Sequence, residues 1–467
     1  MFLFKYFWIK ITNLMSSLIQ KYNVPGPRYT SYPTVPFWDQ DSFSLESWKD
    51  SCKTNFDLTN SKDGISIYIH LPFCESLCTF CGCHKRITKR HEVEIPYIDL
   101  ILKEWKLYLD LFVEKPIIKE IHLGGGTPTF FSAENLHKLI TGIFEKSIIH
   151  SDCEMSFEAH PNNTTKNHLQ TLFDLGFRRL SLGVQDYDPI VQKVINRNQT
   201  FHSVAKVTIW AKEIGYASIS HDIIYGLPFQ TLESIKDTIE KTKSLNPDRL
   251  AFYSYAHVPW IKGNGQRGFK DEDVPKDDYK RELYELGKKL LLENDFIEIG
   301  MDHFSTSEDS LYKSFISNNL NRNFMGYTSS KTEVLIGLGV SSISDSWNAF
   351  AQNSKDFKEY EELLYQNKIP VVKGHILNSE DLIIRKAILE LMCQFKTDLN
   401  LLPENYFNEF NIIRDFNEFI SDKLIRIENN QLYILESGKP FIRNICMVLD
   451  FKLKRNKPNT QLFSMTI

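Results

Sequence analysis

From residue 65 to residue 255 short β-rich runs alternate with stretches of helical periodicity, and this rhythm constrains the fold more than any other feature. The runs cover residues 65–70, 118–123, 154–159, 178–183, 217–224 and 249–255. Helical patterns lie between them at 97–112, 133–144, 166–175, 203–214 and 232–244. Strands separated by helices pair in parallel, with the helices outside. Six such units predict an α/β fold, an incomplete (β/α)6 barrel, whose functional residues follow the strands at their C-terminal ends.

The remainder reads differently. Residues 22–36 carry Pro25, Pro27, Pro33 and Pro36 and cannot be helical through the centre, so an extended arm is expected within 16–60. After about Asn353 the strand–helix rhythm stops. Helices are expected at 380–395 and 407–424, and the Asn429-Asn430 turn precedes a short strand within 427–434. The expected division is a leader at 1–15, the arm at 16–60, the barrel at 61–350 and a small α-rich domain at 351–467. The leader is apolar, but it is too short to span a bilayer, which takes about 20 apolar residues, and it lacks a small-residue cleavage site. Met15 offers a second start.

Hydrophobic residues make up 42% and charged residues 24% of the 467, the mix of a globular chain without long disorder. The formal net charge of −4 argues against a nucleic-acid binder. Of the 8 cysteines, four fall between Cys74 and Cys83. A secreted disulfide protein scatters its cysteines, so the clustering points to a metal site in a reducing cytoplasm.

That run reads Cys74-Glu75-Ser76-Leu77-Cys78-Thr79-Phe80-Cys81-Gly82-Cys83. Three thiolates from one loop at this Cys-x3-Cys-x2-Cys spacing can hold three irons of a [4Fe–4S] cubane and leave the fourth open. An open iron can chelate the amino and carboxylate groups of S-adenosylmethionine. The competing reading is a closed zinc site that recruits Cys83 and His70 or His84 as further ligands, although the spacing suits zinc poorly. Downstream, Gly124-Gly125-Gly126-Thr127-Pro128 follows a predicted strand, where glycine lets the backbone approach a ligand. Glu158, Gln185 and Asp222 sit at the ends of later strands, and Arg197 could pair bidentately with a carboxylate. Each of these polar residues also fits a helix cap or a surface ion pair.

Together these motifs are similar to the radical S-adenosylmethionine superfamily. More closely, the chain resembles the oxygen-independent coproporphyrinogen III oxidases of haem biosynthesis from about Leu18 to its end. The likeness runs through residues 26–34, the cysteine loop, the glycine turn and Gly183-Val184-Gln185-Asp186. It continues through 222–228, 246–250, Tyr255-Ala256-His257, 300–304, 322–327 and 442–446. The resemblance implies a cluster on Cys74, Cys78 and Cys81 and two S-adenosylmethionine molecules. Tyr68, Gly125, Glu158 and Ile343 correspond to contacts of the first. Phe80, Gly126, Thr127, Gln185, Arg197, Asp222 and Ala256 correspond to contacts of the second. Cys83 matches a family cysteine that is not a ligand.

The implied substrate is coproporphyrinogen III, acted on by a cytoplasmic monomer that draws on an unidentified electron donor and acceptor, without nucleic acid or membrane. A carboxylated substrate calls for basic partners, and Arg28 in the arm is one candidate. A haem chaperone of the same superfamily shares the cysteine motif, glycine run and barrel. It usually has Phe where Cys83 stands and lacks the arm, so both features here favour the enzyme.

Overall fold

A computed structural model describes residues 17–259, 265–409 and 411–466. The leader expected at 1–15 lies outside the described residues. The six expected strands are present as β1 (Ile65–Leu71), β2 (Ile117–Gly125), β3 (Ile148–Ala159), β4 (Arg179–Gln185), β5 (Ser218–Tyr225) and β6 (Arg249–Ser254). They pair in parallel in chain order. The helices between them span Glu94–Leu109, Ala133–Phe144, Lys166–Asp174, Phe201–Ile214 and Leu232–Ser244.

A seventh parallel strand was not anticipated. Beyond β7 (Ile297–Gly300) and β8 (His303–Ser305), β9 (Val334–Leu338) pairs in parallel with β1 on the side away from β2. Antiparallel β10 (Ile343–Asp345), β11 (Ala349–Asn353) and β12 (Val371–Ile376) extend that edge, and β8 and β7 extend the other. One 12-stranded sheet results, in the order β12-β11-β10-β9-β1-β2-β3-β4-β5-β6-β8-β7. It runs past residue 350, where the strand–helix rhythm ends.

Apart from irregularities near Ile118–Glu120 and Gly183–Gln185, the parallel strands alternate. Ile65, Ile67, Ile69 and Leu71 of β1 and Ile121 and Leu123 of β2 are fully buried in the main core beneath the helices. The opposite face is polar. There Ser66 donates to Glu120 at 2.9 Å, Arg179 pairs with Glu154 at 3.0 Å and Arg249 with Asp309 at 2.6 Å. A hairpin, Asn321–Asn323 paired with Gly326–Thr328, fills this interior. Thr328 donates to Glu120 at 2.6 Å, Ser329 donates to Glu154, and Phe324 meets the Tyr68 ring edge-on at 4.9 Å.

Within 16–60 the extended segment is shorter than expected, because Leu45–Asp63 is a 19-residue helix, α1, opened by a capping box at Ser44. Its buried stripe mixes Trp48, Cys52 and Phe56 with Asn55, Thr59 and Asn60, which hides the apolar period. The arm proper packs into the C-terminal part: Tyr22, Tyr29 and Tyr32 are buried in its core, and Tyr22 stacks on Phe419 at 4.8 Å. Arg443 donates to the Gly26 carbonyl, to Pro27 O at 2.9 Å and to Met465 O at 2.8 Å, so the arm and the C-terminal segment are tied to one guanidinium.

The C-terminal part is built on helices at Ser379–Gln394, Ile412–Ser421 and Ile442–Leu449, with a three-stranded sheet that includes Ile425–Glu428 and Gln431–Ile434. The single helix expected at 407–424 is instead two, Glu404–Glu409 and Ile412–Ser421, with Asn411 at φ +51° just before the second. Asn429 and Asn430, both at positive φ, make the hairpin turn between the two strands.

Candidate active site

The cysteine loop is braced at three places. At its start Phe73–Cys74 pairs in parallel with Arg86–Ile87, while Gly126 N donates to Leu71 O at 2.8 Å and Thr127 N to Phe73 O at 3.0 Å. The glycine turn after β2 therefore docks backbone to backbone on the cysteine loop. A Cβ on Gly126 would lie 2.6 Å from the Pro72 carbonyl, so only glycine permits the contact. At mid-loop Asn196 Nδ2 donates to Leu77 O at 2.7 Å, and Thr79 donates to Ile195 O and Val194 O at 3.0 Å. At its end the His70 ring meets the His84 carbonyl at 2.9 Å.

Cys74, Cys78, Cys81 and Cys83 border one cavity of about 350 Å3 at the C-terminal ends of β1 to β5. Phe80, Gly125, Gly126, Thr127, Glu158, Gln185, Arg197 and Asp222 complete the predicted set that lines it. Tyr68, Ala256 and Ile343 do not line it. Tyr68 lies behind His70 and Phe324. The Ala256 carbonyl accepts from Gln266 at 2.7 Å, and Ile343 packs against the Trp38 and Phe350 cluster.

Two side chains address the sulfurs. The Thr127 hydroxyl lies 3.3 Å from Cys74 Sγ, and Arg197 donates to Cys78 Sγ at 3.6 Å. Arg197 also donates to Gly183 O and, through Nε, to Gln199 at 3.0 Å. A Cβ on Gly183 would meet the guanidinium at 2.7 Å, which explains the glycine in the Gly183–Asp186 motif. Burial pushes the Cys74 thiol up to about 11, and a hydrogen bond from Cys83 pulls the Cys81 thiol down.

The carboxylates are held just as firmly. Glu158 Oε2 accepts from Gly125 N at 3.4 Å. Asp222 accepts from Ser181 at 2.9 and 3.0 Å, and burial raises its carboxyl to about 7. Ser181 was not singled out in the sequence. Its signal was present, since Arg179, Ser181 and Gly183 alternate along the inward face of β4 with Leu180 and Leu182 outward.

The donor set fits an iron–sulfur cluster: three soft thiols on one loop, N–H and O–H donors to two of them, and space beside them for a further ligand. It does not fit the zinc reading through His70, because both ring nitrogens are engaged by Tyr68 and His84. Among the described residues no three His, Cys, Asp or Glu side chains are gathered around one point. Arg28 stands apart from this cavity, bound to Asp302 at 3.1 Å and to Ser254 O at 3.3 Å.

Barrel, cysteine loop and glycine turn define a radical S-adenosylmethionine protein, and residues 68–242 match the model of the Radical SAM superfamily. Curated relatives cover almost the whole chain. The oxygen-independent coproporphyrinogen III oxidase of Helicobacter pylori is 37% identical over 453 residues, 96% of this chain and 98% of the relative. That of Escherichia coli is 35% identical over 458 residues, 97% and 98% of the two chains. The solved structure of the Escherichia coli coproporphyrinogen III oxidase, described as a radical SAM enzyme, superposes with a TM-score of 0.84 at 33% identity, covering 91% of this chain and 97% of that one. The chain belongs to the oxygen-independent coproporphyrinogen III oxidase family.

Proposed function

We propose that this chain converts two propionates of coproporphyrinogen III to vinyl groups without oxygen, releasing two carbon dioxide molecules and giving protoporphyrinogen IX. The observation that carries the reading is the shared cavity of Cys74, Cys78 and Cys81 with Glu158, Arg197 and Asp222, in a chain aligned end to end with enzymes of that name. When bound, the cluster supplies the electron that splits S-adenosylmethionine, two molecules of which serve the two propionates.

The chain's own groups divide the remaining work. Cys74, Cys78 and Cys81 anchor the cluster, and Thr127 and Arg197 steady two of the sulfurs through hydrogen bonds. Glu158 and Asp222 place negative charge opposite a cationic sulfonium and ammonium. Gly125 and Gly126 bring main-chain N–H groups within reach of a ligand that any side chain would displace. Phe80 contributes an apolar wall that limits water. We assign a cytoplasmic, monomeric enzyme in which a separate donor supplies the electrons that split S-adenosylmethionine, and in which each propionate, having given up a hydrogen atom and carbon dioxide, releases one electron to a separate acceptor. Among the described residues no helix is long and apolar enough to cross a membrane.

The test is anaerobic turnover of reconstituted protein with reductant, S-adenosylmethionine and coproporphyrinogen III, followed by chromatography of oxidised porphyrins. Protoporphyrin with two equivalents of methionine is expected. Cleavage of S-adenosylmethionine without any decarboxylated porphyrin would overturn the substrate assignment.

A further inference from the structure

The strand laid against the cluster ligand Cys74 is exposed and basic. Cys74 is in register with Ile87 and Phe73 with Arg86, and Thr88 N donates to Cys74 O at 2.9 Å. Ile87 therefore sits one strand spacing, about 4.8 Å, from a residue whose sulfur binds the cluster. Arg86, Ile87, Lys89 and Arg90 are all exposed, Ile87 to 43%.

Residues 85–90 hold four cations and no acid, in a chain whose formal net charge is −4. Among the described residues no carboxylate pairs with Arg86, Lys89 or Arg90, and the neighbouring Glu75 and Glu94 face His91 instead. Lys85 turns inward to the carbonyls of Cys81 and Cys83 at 3.0 and 3.2 Å, and Lys89 borders the cysteine cavity with it, so the patch reaches the mouth of the site.

We propose that this edge, Ile87 ringed by Arg86, Lys89 and Arg90, docks an acidic one-electron carrier protein that reduces the cluster through the Cys74 side of the loop; the proposal rests on the site reading above. One electron leaves the reduced carrier and enters the cluster, with no bond made or broken and no proton moved. An apolar centre with a charged rim is the anatomy of a protein interface. The patch spans six residues, roughly 20 Å of extended chain. That suits the small, transient interfaces of electron-transfer pairs. Opposite charge would steer the encounter and make its rate fall with salt.

The experiment uses anaerobic holoenzyme with an oxidised cluster and, as probe, a photoreduced flavodoxin of strongly negative net charge. Flavin oxidation is followed by stopped flow at 50 and 300 mM NaCl, and binding by titration. Arg86→Glu/Arg90→Glu is expected to slow electron transfer and weaken binding by about tenfold or more at low salt. Its reduction by dithionite should stay at the wild-type rate. Ile87→Asp, which leaves the arginines in place, is expected to weaken binding as well. Wild-type rates in both variants, or a wild-type rate indifferent to salt, would overturn the proposal. So would binding of anionic phosphatidylserine vesicles through this patch with flavodoxin transfer unaffected by the substitutions. A wild-type protein that dithionite cannot reduce would overturn the site reading itself, and it would do so before any carrier is added.

Discussion

The Tyr68 hydroxyl donates to His70 Nδ1 at 3.0 Å, two residues along the same face of β1. The proton positions follow from the other side of the ring. His70 Nε2 lies 2.9 Å from the His84 carbonyl, which can only accept, so Nε2 carries the hydrogen and Nδ1 receives the hydroxyl. Burial holds the ring neutral, with its pKa down at about 4. A Cβ on Gly125 would lie 2.8 Å from the ring, so His70 fits between the glycine turn and the end of the cysteine loop.

His70→Phe keeps the ring's bulk and removes both hydrogen bonds. The Tyr68 hydroxyl and the His84 carbonyl then lose their partners, at a cost of about 1–3 kcal/mol. Iron and sulfide after anaerobic reconstitution should fall to roughly half of wild type, while circular dichroism stays unchanged. Full loading of the variant would show that the loop holds its shape without this anchor.

Asp222 predicts a pH dependence for ligand binding. Its folded carboxyl ionises near pH 7 because it is buried. A cationic ligand favours the ionised form, so S-adenosylmethionine should bind more tightly as pH rises through 7 and level off above it. About tenfold is expected between pH 6 and 8. Calorimetric titration of wild type and Asp222→Asn checks this: the variant should bind weakly at both pH values, and a wild-type slope surviving in it would remove Asp222 from the site.

Acid should unfold the protein early. His70 and His221 are buried and held neutral, at about 4 and about 3. An unfolded histidine takes a proton near 6.5 and the folded ones do not, so the stabilisation is complete above pH 6.5 and is lost as pH falls towards 4. Each should cost about 2 kcal/mol between pH 7.5 and pH 5. His160 and His303, held down at about 3, contribute as well, so urea melts of wild type and His221→Gln should differ in their pH dependence by about 2 kcal/mol, the share of one histidine. A His221→Gln variant with the same pH difference as wild type would refute the assignment.

Arg443→Ala should release the arm. Four carbonyls, two in the arm and two at the C-terminal end, lose their donor together. The expected loss is about 3 kcal/mol or more. Limited proteolysis should then cut within residues 22–36 well before the barrel, and unchanged cleavage kinetics would contradict the structure.

The barrel strands were legible because their outward residues are almost all Ile, Leu, Val or Phe and each of the first five is followed by a helix of clear period. β9 was not, since a long excursion that includes the 321–328 hairpin, rather than one helix, joins it to β6. α1 was hidden by Asn55, Thr59 and Asn60 on its buried face. At the site the cysteines, glycines and strand-end acids announced themselves through spacing. Ser181 and the double role of His70 depend on cross-strand register and loop return, which a single segment does not display. The basic run at 85–90 was visible as letters, but its pairing with Cys74 was not.

The hairpin that fills the barrel comes late in the chain, and this sets an order of assembly. When a ribosome has delivered only β1 to β6, Glu120 and Glu154 face an interior without Thr328 and Ser329, and β1 has a bare edge where β9 will lie. The nascent half-barrel is thus a sticky intermediate whose carboxylates hold only part of their final partners and whose edge is open, in need of shelter until well past the midpoint of synthesis. The cysteine loop, which directly follows β1, is therefore made long before the hairpin closes the interior behind it.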